Sequence, residues 1–187
     1  MYVALEGIDA LGKSTQIEFL KGVIKDAIFV KEPHDEILRS LLLQKELDEI
    51  SKMFLFLADR ALLFSRFKMQ DALLISDRSY LSHIAYAKDL LPRRPLINMN
   101  AVATKGVKLD AVILFLADEE LLSKRLSGKK QDLIESKGVQ FLLAVQKELE
   151  SLIAELKIPC LKLDAARSKI DLHEEILTFL RSINAIN

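Results

Sequence analysis

Apolar positions fall into two rhythms along the chain. Short runs rich in branched residues occupy residues 2–5, 28–30, 72–75, 111–116 and 158–163, and the longer stretches between them repeat apolar residues every three or four positions. That alternation predicts parallel strands joined by covering helices: an α/β doubly wound sheet of five strands with helices on both faces. Ile17, Leu20 and Ile24 mark one helix face, and Leu121, Leu122 and Leu126 another. Residues 47–70 predict a helix of about six turns, and 139–157 and 172–183 predict two more. Two stretches break the rhythm. Leu91-Pro92-Arg93-Arg94-Pro95 predicts a solvated loop, because each proline disfavours helix for the residue before it and offers no N–H. Residues 128–138, polar and bounded by Gly128 and Gly138, predict a mobile connection between two helices.

With 187 residues the chain is expected to form a single domain over 1–187, at about 150 residues per domain. Half of it is apolar, 29% is charged, and no apolar run approaches the roughly 18 residues of a spanning helix. Disordered, collagen-like and transmembrane classes are excluded on composition, so no membrane partner is expected. Basic and acidic side chains number 27 each, and this balance gives no bulk attraction to nucleic acid or anionic lipid. The single Cys160 cannot form an internal disulfide and is expected to be a packed strand thiol. The first residues lack the cationic start and long apolar stretch of a signal peptide, which predicts a cytoplasmic protein.

Directly after the first apolar run stands Gly7-Ile8-Asp9-Ala10-Leu11-Gly12-Lys13-Ser14-Thr15, a G-x-x-x-x-G-K-[ST] pattern between a predicted strand and a predicted helix. Two glycines let the backbone wrap with its N–H groups turned inward around a triphosphate, and the helix start adds its positive dipole. Lys13 is expected at the β- and γ-phosphates and the Ser14 hydroxyl on Mg²⁺. The pattern predicts a P-loop fold that binds a nucleoside triphosphate; it does not say what receives the phosphate.

A third strand ends in Asp77-Arg78, at the carboxyl edge where open α/β sheets hold ligands. Such a pair serves either a ligand or a structural ion pair. Lys31-Glu32-Pro33 follows the second strand in the same way. Phe56, inside Met53-Phe54-Leu55-Phe56-Leu57, reads by itself as a binding surface or as a core aromatic.

Five blocks together resemble the thymidylate kinase family in its order. They are Glu6-Gly7-Ile8-Asp9 running into Gly12-Lys13-Ser14-Thr15, Lys31-Glu32-Pro33, Phe54 to Arg60, Asp77-Arg78 with Ser82, Ala85 and Tyr86, and Asp132-Leu133-Ile134-Glu135. The resemblance implies Mg²⁺-dependent transfer of the ATP γ-phosphoryl group to dTMP, giving dTDP and ADP for dTTP biosynthesis. It also implies strand order 2-3-1-4-5, a short lid at about 128–138 and a homodimer. Another nucleotide or deoxynucleoside kinase, or a P-loop regulatory module, is the alternative. Phe56 is similar to the aromatic that stacks on thymine, and Arg60 to the arginine that donates to a base carbonyl. Lys31 and Arg78 match the residues that hold the acceptor 5′-phosphate. Asp9 matches a partner of the deoxyribose 3′-hydroxyl, Tyr86 a guard against a 2′-hydroxyl, and Ser82 with His83 the base edge. Asp77 joins Ser14 as a metal-site candidate. Because Ala10 and Leu11 are uncharged, the resemblance assigns donor-side charge to Lys129 and Lys130 in the lid, with Arg125 nearby; a solvated basic turn is the other reading of the two lysines. The chain departs from the family at Pro33-His34-Asp35, where a Gly-Gly pair is usual.

Overall fold

Every position of the first strand, β1 (Tyr2–Glu6), is buried, and so is nearly all of β4 (Ala111–Leu116). Strands this uniformly apolar need covering on both faces, and the computed structural model, which describes residues 1–42, 44, 47–66, 72–127 and 138–186, provides it. Between the two lie α1 (Lys13–Val23), β2 (Ala27–Lys31), α2 (Glu36–Leu42), α3 (Glu49–Arg66), β3 (Leu73–Asp77), α4 (Tyr80–Tyr86) and α5 (Arg93–Ala103); after β4 come α6 (Glu119–Leu126), α7 (Val139–Glu155), β5 (Cys160–Asp164) and α8 (Lys169–Ser182). The sheet is parallel throughout in the order β2-β3-β1-β4-β5, as the resemblance implied. Two sets of helices cover it: α1 packs with α8, while α3, α5, α4, α7 and α6 form a connected second set. No helix among the described residues is long and apolar enough to cross a membrane.

Register places the chemistry. Leu5 pairs with Asp77 and Asp77 with Lys31, so the loops after β1, β3 and β2 leave the same edge side by side. At the end of β4 the buried Gln146 amide completes the ladder: its Oε1 accepts from the Ala117 N–H and its Nε2 donates to the Ala117 carbonyl, both at 3.0 Å.

The proline-rich segment departs from the sequence reading. Arg93, Arg94 and Pro95 form the first turn of α5 and not a loop, because the N–H that Pro95 lacks has no intrahelical acceptor at that position. Arg93 is a clasp and not a solvated side chain: its Nε donates to Glu148 at 2.9 Å, Nη2 to Ser151 at 3.2 Å and Nη1 to Glu155, tying α5 to α7. Cys160 sits half-buried on β5, where burial pushes its thiol up to about 11 and removes it as a nucleophile.

Candidate active site

Gly7 leaves β1 with φ +138°, and a Cβ there would stand 2.7 Å from the Phe115 carbonyl oxygen, so only glycine permits this approach to β4. Ala10 (φ 64°) and Gly12 (φ 93°) are also left-handed and close the wrap. Ile8 and Leu11 are core side chains at 0% and 1% exposure and serve the loop through backbone alone. Lys13 opens α1, and its Nζ donates to the carbonyls of Gly7 at 2.9 Å and Ile8 at 2.7 Å. Burial, with Arg78 adding repulsion, pulls its ammonium down to about 7. The Ser14 hydroxyl donates to Asp77 Oδ2 at 3.0 Å, and Lys31 Nζ lies 4.0 Å from the same oxygen. Thr15 follows, half-buried, in the first turn of α1.

Arg78 leaves β3 with φ 71° and turns across the loop. Its Nη1 donates to the Gly7 carbonyl and the Ser82 hydroxyl, each at 3.1 Å, and its Nη2 pairs with Asp9. Tyr86 stands against the guanidinium, 5.6 Å from ring centre to Cζ, and donates to Asp9 at 3.2 Å. Burial works to raise the Asp9 carboxyl, but Arg78 and Lys13 outweigh it and hold it below its ordinary value. Burial likewise pushes the Tyr86 phenol up.

A second wall runs from α3 through α4 to α5. Arg60 is 1% exposed and forms a buried ion pair with Glu32 through Nε (3.1 Å) and Nη2, while Nη1 donates to Asn100 Oδ1. Its guanidinium is thus anchored by Glu32 on one edge and Asn100 on the other. Asn100 Nδ2 donates to the Leu96 carbonyl at 2.7 Å, which turns Oδ1 toward Arg60 and toward His83 Nδ1 at 3.2 Å. Nδ1 also lies 3.4 Å from Arg60 Nη1, and Nε2 is buried with no partner among the described residues. Burial, aided by Arg60, lowers His83 to about 4, so the ring is neutral at ordinary pH. Phe56 lies half-buried beside it, rings 5.5 Å apart and tilted 32°, outside the core cluster.

Several site residues had no assigned role in the sequence. Asp59 accepts from the N–H groups of His34 (2.9 Å) and Asp35 (2.7 Å), fixing the loop that lacks the usual glycines. Glu6, Glu32 and Asn100 are likewise buried. Asn100 had a signal: it shares the apolar stripe of α5 with Leu96 and Ala103. Arg125 braces the cradle from α6, donating to the carbonyls of Ala10 (2.9 Å) and Ala165 (2.5 Å). Lys129 and Lys130 lie outside the described residues.

The thymidylate kinase family profile matches residues 5–176. A thymidylate kinase of Campylobacter lari is 43% identical over 192 residues, covering 96% of this chain and 99% of its own. The chain belongs to the thymidylate kinase family. A thymidylate kinase of Helicobacter pylori is 38% identical, covering 98% of this chain and 100% of its own. The crystal structure of a thymidylate kinase from Ehrlichia chaffeensis superposes with a TM-score of 0.74 over 96% of this chain and 98% of that one, at 21% identity, a likeness of fold. Membership in the thymidylate kinase family makes the protein a phosphotransferase.

Proposed function

We propose that the protein moves the γ-phosphoryl group of ATP onto dTMP, in the cytoplasm and for dTTP supply, with donor and acceptor phosphates meeting over the Gly7 carbonyl. One observation carries this reading: Gly7 O accepts from both Lys13 Nζ (2.9 Å) and Arg78 Nη1 (3.1 Å), so the donor-side and acceptor-side cations share one oxygen. Phosphates drawn to each are thereby brought end to end, and such positioning with charge stabilisation supplies most of phosphoryl-transfer catalysis. The loop from Gly7 to Thr15 takes the ATP phosphates, braced by Arg125, and Lys31 with Arg78 takes the 5′-phosphate of dTMP. Thymine lies on Phe56, with the neutral His83 ring at its edge. Asp9 receives the 3′-hydroxyl, and Tyr86 closes the space of a 2′-hydroxyl. Lys129 and Lys130 supply the positive charge that the transferring group needs.

The hydroxyl of Ser14 and the carboxylate of Asp77, 3.0 Å apart, suit Mg²⁺, which takes a few protein oxygens and shares the rest of its shell with water and phosphate. Bound there, it would neutralise charge on the donor phosphates. A homodimer is supported by α3, whose Ile50, Phe54 and Leu62 recur at the spacing of one helix face and stand 43%, 55% and 40% exposed.

The test is ADP release against dTMP, dUMP, dCMP, AMP and thymidine. Stimulation by dTMP is expected, with dUMP weaker by about 10- to 200-fold for the lost methyl. Stimulation by thymidine alone, or none by dTMP, overturns the reaction.

A further inference from the structure

Glu6 is the last residue of β1, 0% exposed, and its carboxylate only accepts: from Ser79 Oγ at 2.6 Å, Ser82 Oγ at 2.6 Å and Ser82 N at 3.4 Å. Ser82 Oγ has spent its proton on Glu6, so it meets Arg78 Nη1, 3.1 Å away, as an acceptor. The two edges of the Arg78 guanidinium are therefore held differently. Nη1 rests on groups that belong to the fold, the Gly7 carbonyl and the Ser82 hydroxyl backed by Glu6, while Nη2 rests on the partly exposed Asp9.

We propose that Glu6 is a positioning residue for the acceptor phosphate: through the oriented Ser82 hydroxyl it pins one edge of Arg78 while the other edge passes from Asp9 to the phosphate of dTMP. The inference rests on Arg78 holding that phosphate. It also gives Ser82 a place in the relay rather than at the base edge. A carboxylate is required because the Ser82 N–H can only donate and claims the oxygen of an amide for the Oε1 side, so the amide NH₂ would face Ser82 Oγ, turn the hydroxyl proton toward Arg78 and set two donors face to face.

Steady-state kinetics of Glu6→Gln, Ser82→Ala and the double variant test it, with thermal unfolding of each. Each single variant is expected to raise the KM for dTMP by about tenfold, the loss of one hydrogen bond to a charged group, while the KM for ATP stays within about twofold. The double variant is expected to be no worse than the worse single one, because both break one relay. Ser79→Ala removes the other hydroxyl on Glu6 and the cap on α4 without touching Ser82. It is expected to lower the Tm with the dTMP KM unmoved. An unchanged dTMP KM in Glu6→Gln and Ser82→Ala, a KM that merely tracks Tm across all variants, or a double effect equal to the product of the two overturns the relay. Wild-type protein that turns over dTMP with these outcomes loses only the relay; wild-type protein that ignores dTMP loses the reaction and the relay together.

Discussion

Arg60 and Arg78 sit on opposite sides of one site and are held in opposite ways. Arg60, 1% exposed, is matched by a full carboxylate at Glu32 and by Asn100, so its charge is already answered within the protein. Arg78, 17% exposed, rests on a backbone carbonyl, a hydroxyl and a carboxylate that is itself 28% exposed. Charge committed inside a fold shapes a surface; charge resting on weaker, wetter acceptors remains available to a ligand. Arg60 is bound into the architecture, and Arg78 is held loosely beside the phosphate loop, although both are the same side chain.

The largest separation between the two should appear on removing each acid. Glu32→Ala leaves Arg60 buried and unpaired and should cost about 3–5 kcal/mol in urea unfolding. Asp9→Asn, at the partly buried pair, keeps an oxygen to accept from Arg78 and should cost less, about 1 kcal/mol. Equal losses would erase the distinction. Next comes Lys13→Ala, which should lower dTMP-dependent ADP release by about 10²- to 10³-fold, the range for one preorganised donor at developing charge, without lowering stability. A variant that unfolds would return Lys13 to the architecture.

A further separation is carried by a proton. Lys13 titrates near 7 in the folded protein against 10.5 for an ordinary lysine, so from pH 7 to 10.5 the unfolded chain holds the extra proton. Stability should therefore rise with pH across that window and fall away as pH drops toward 7. A triphosphate beside the amine favours its charged form, so ATP binding near pH 8 should take up a proton and weaken by up to about tenfold per pH unit. Calorimetric titration in two buffers of different ionisation enthalpy reads the uptake directly; a value of zero would count against the reading.

The strands and the phosphate loop were legible because uniform apolar runs and the Gly7 to Thr15 spacing are local signals. Helix α5 was not, because prolines at 92 and 95 read as breakers until their place in a first turn is known. Helix α4 shows no amphipathic period, since Leu81 through Ala85 are all buried. The Glu32–Arg60 pair spans 28 residues, and only the order of the sheet brings α3 to the end of β2. Phe56 was placed by resemblance, and the Glu6 relay by neither spacing nor resemblance.

Asp59 and Arg60 are neighbours on α3, and they hold the same short segment from two sides: Asp59 by the amides of His34 and Asp35, Arg60 by Glu32. The shape of that segment is dictated from outside itself. Its own letters are freed to drift, and a lineage can exchange a glycine pair for His34-Asp35 while the path of the chain stays where the helix sets it.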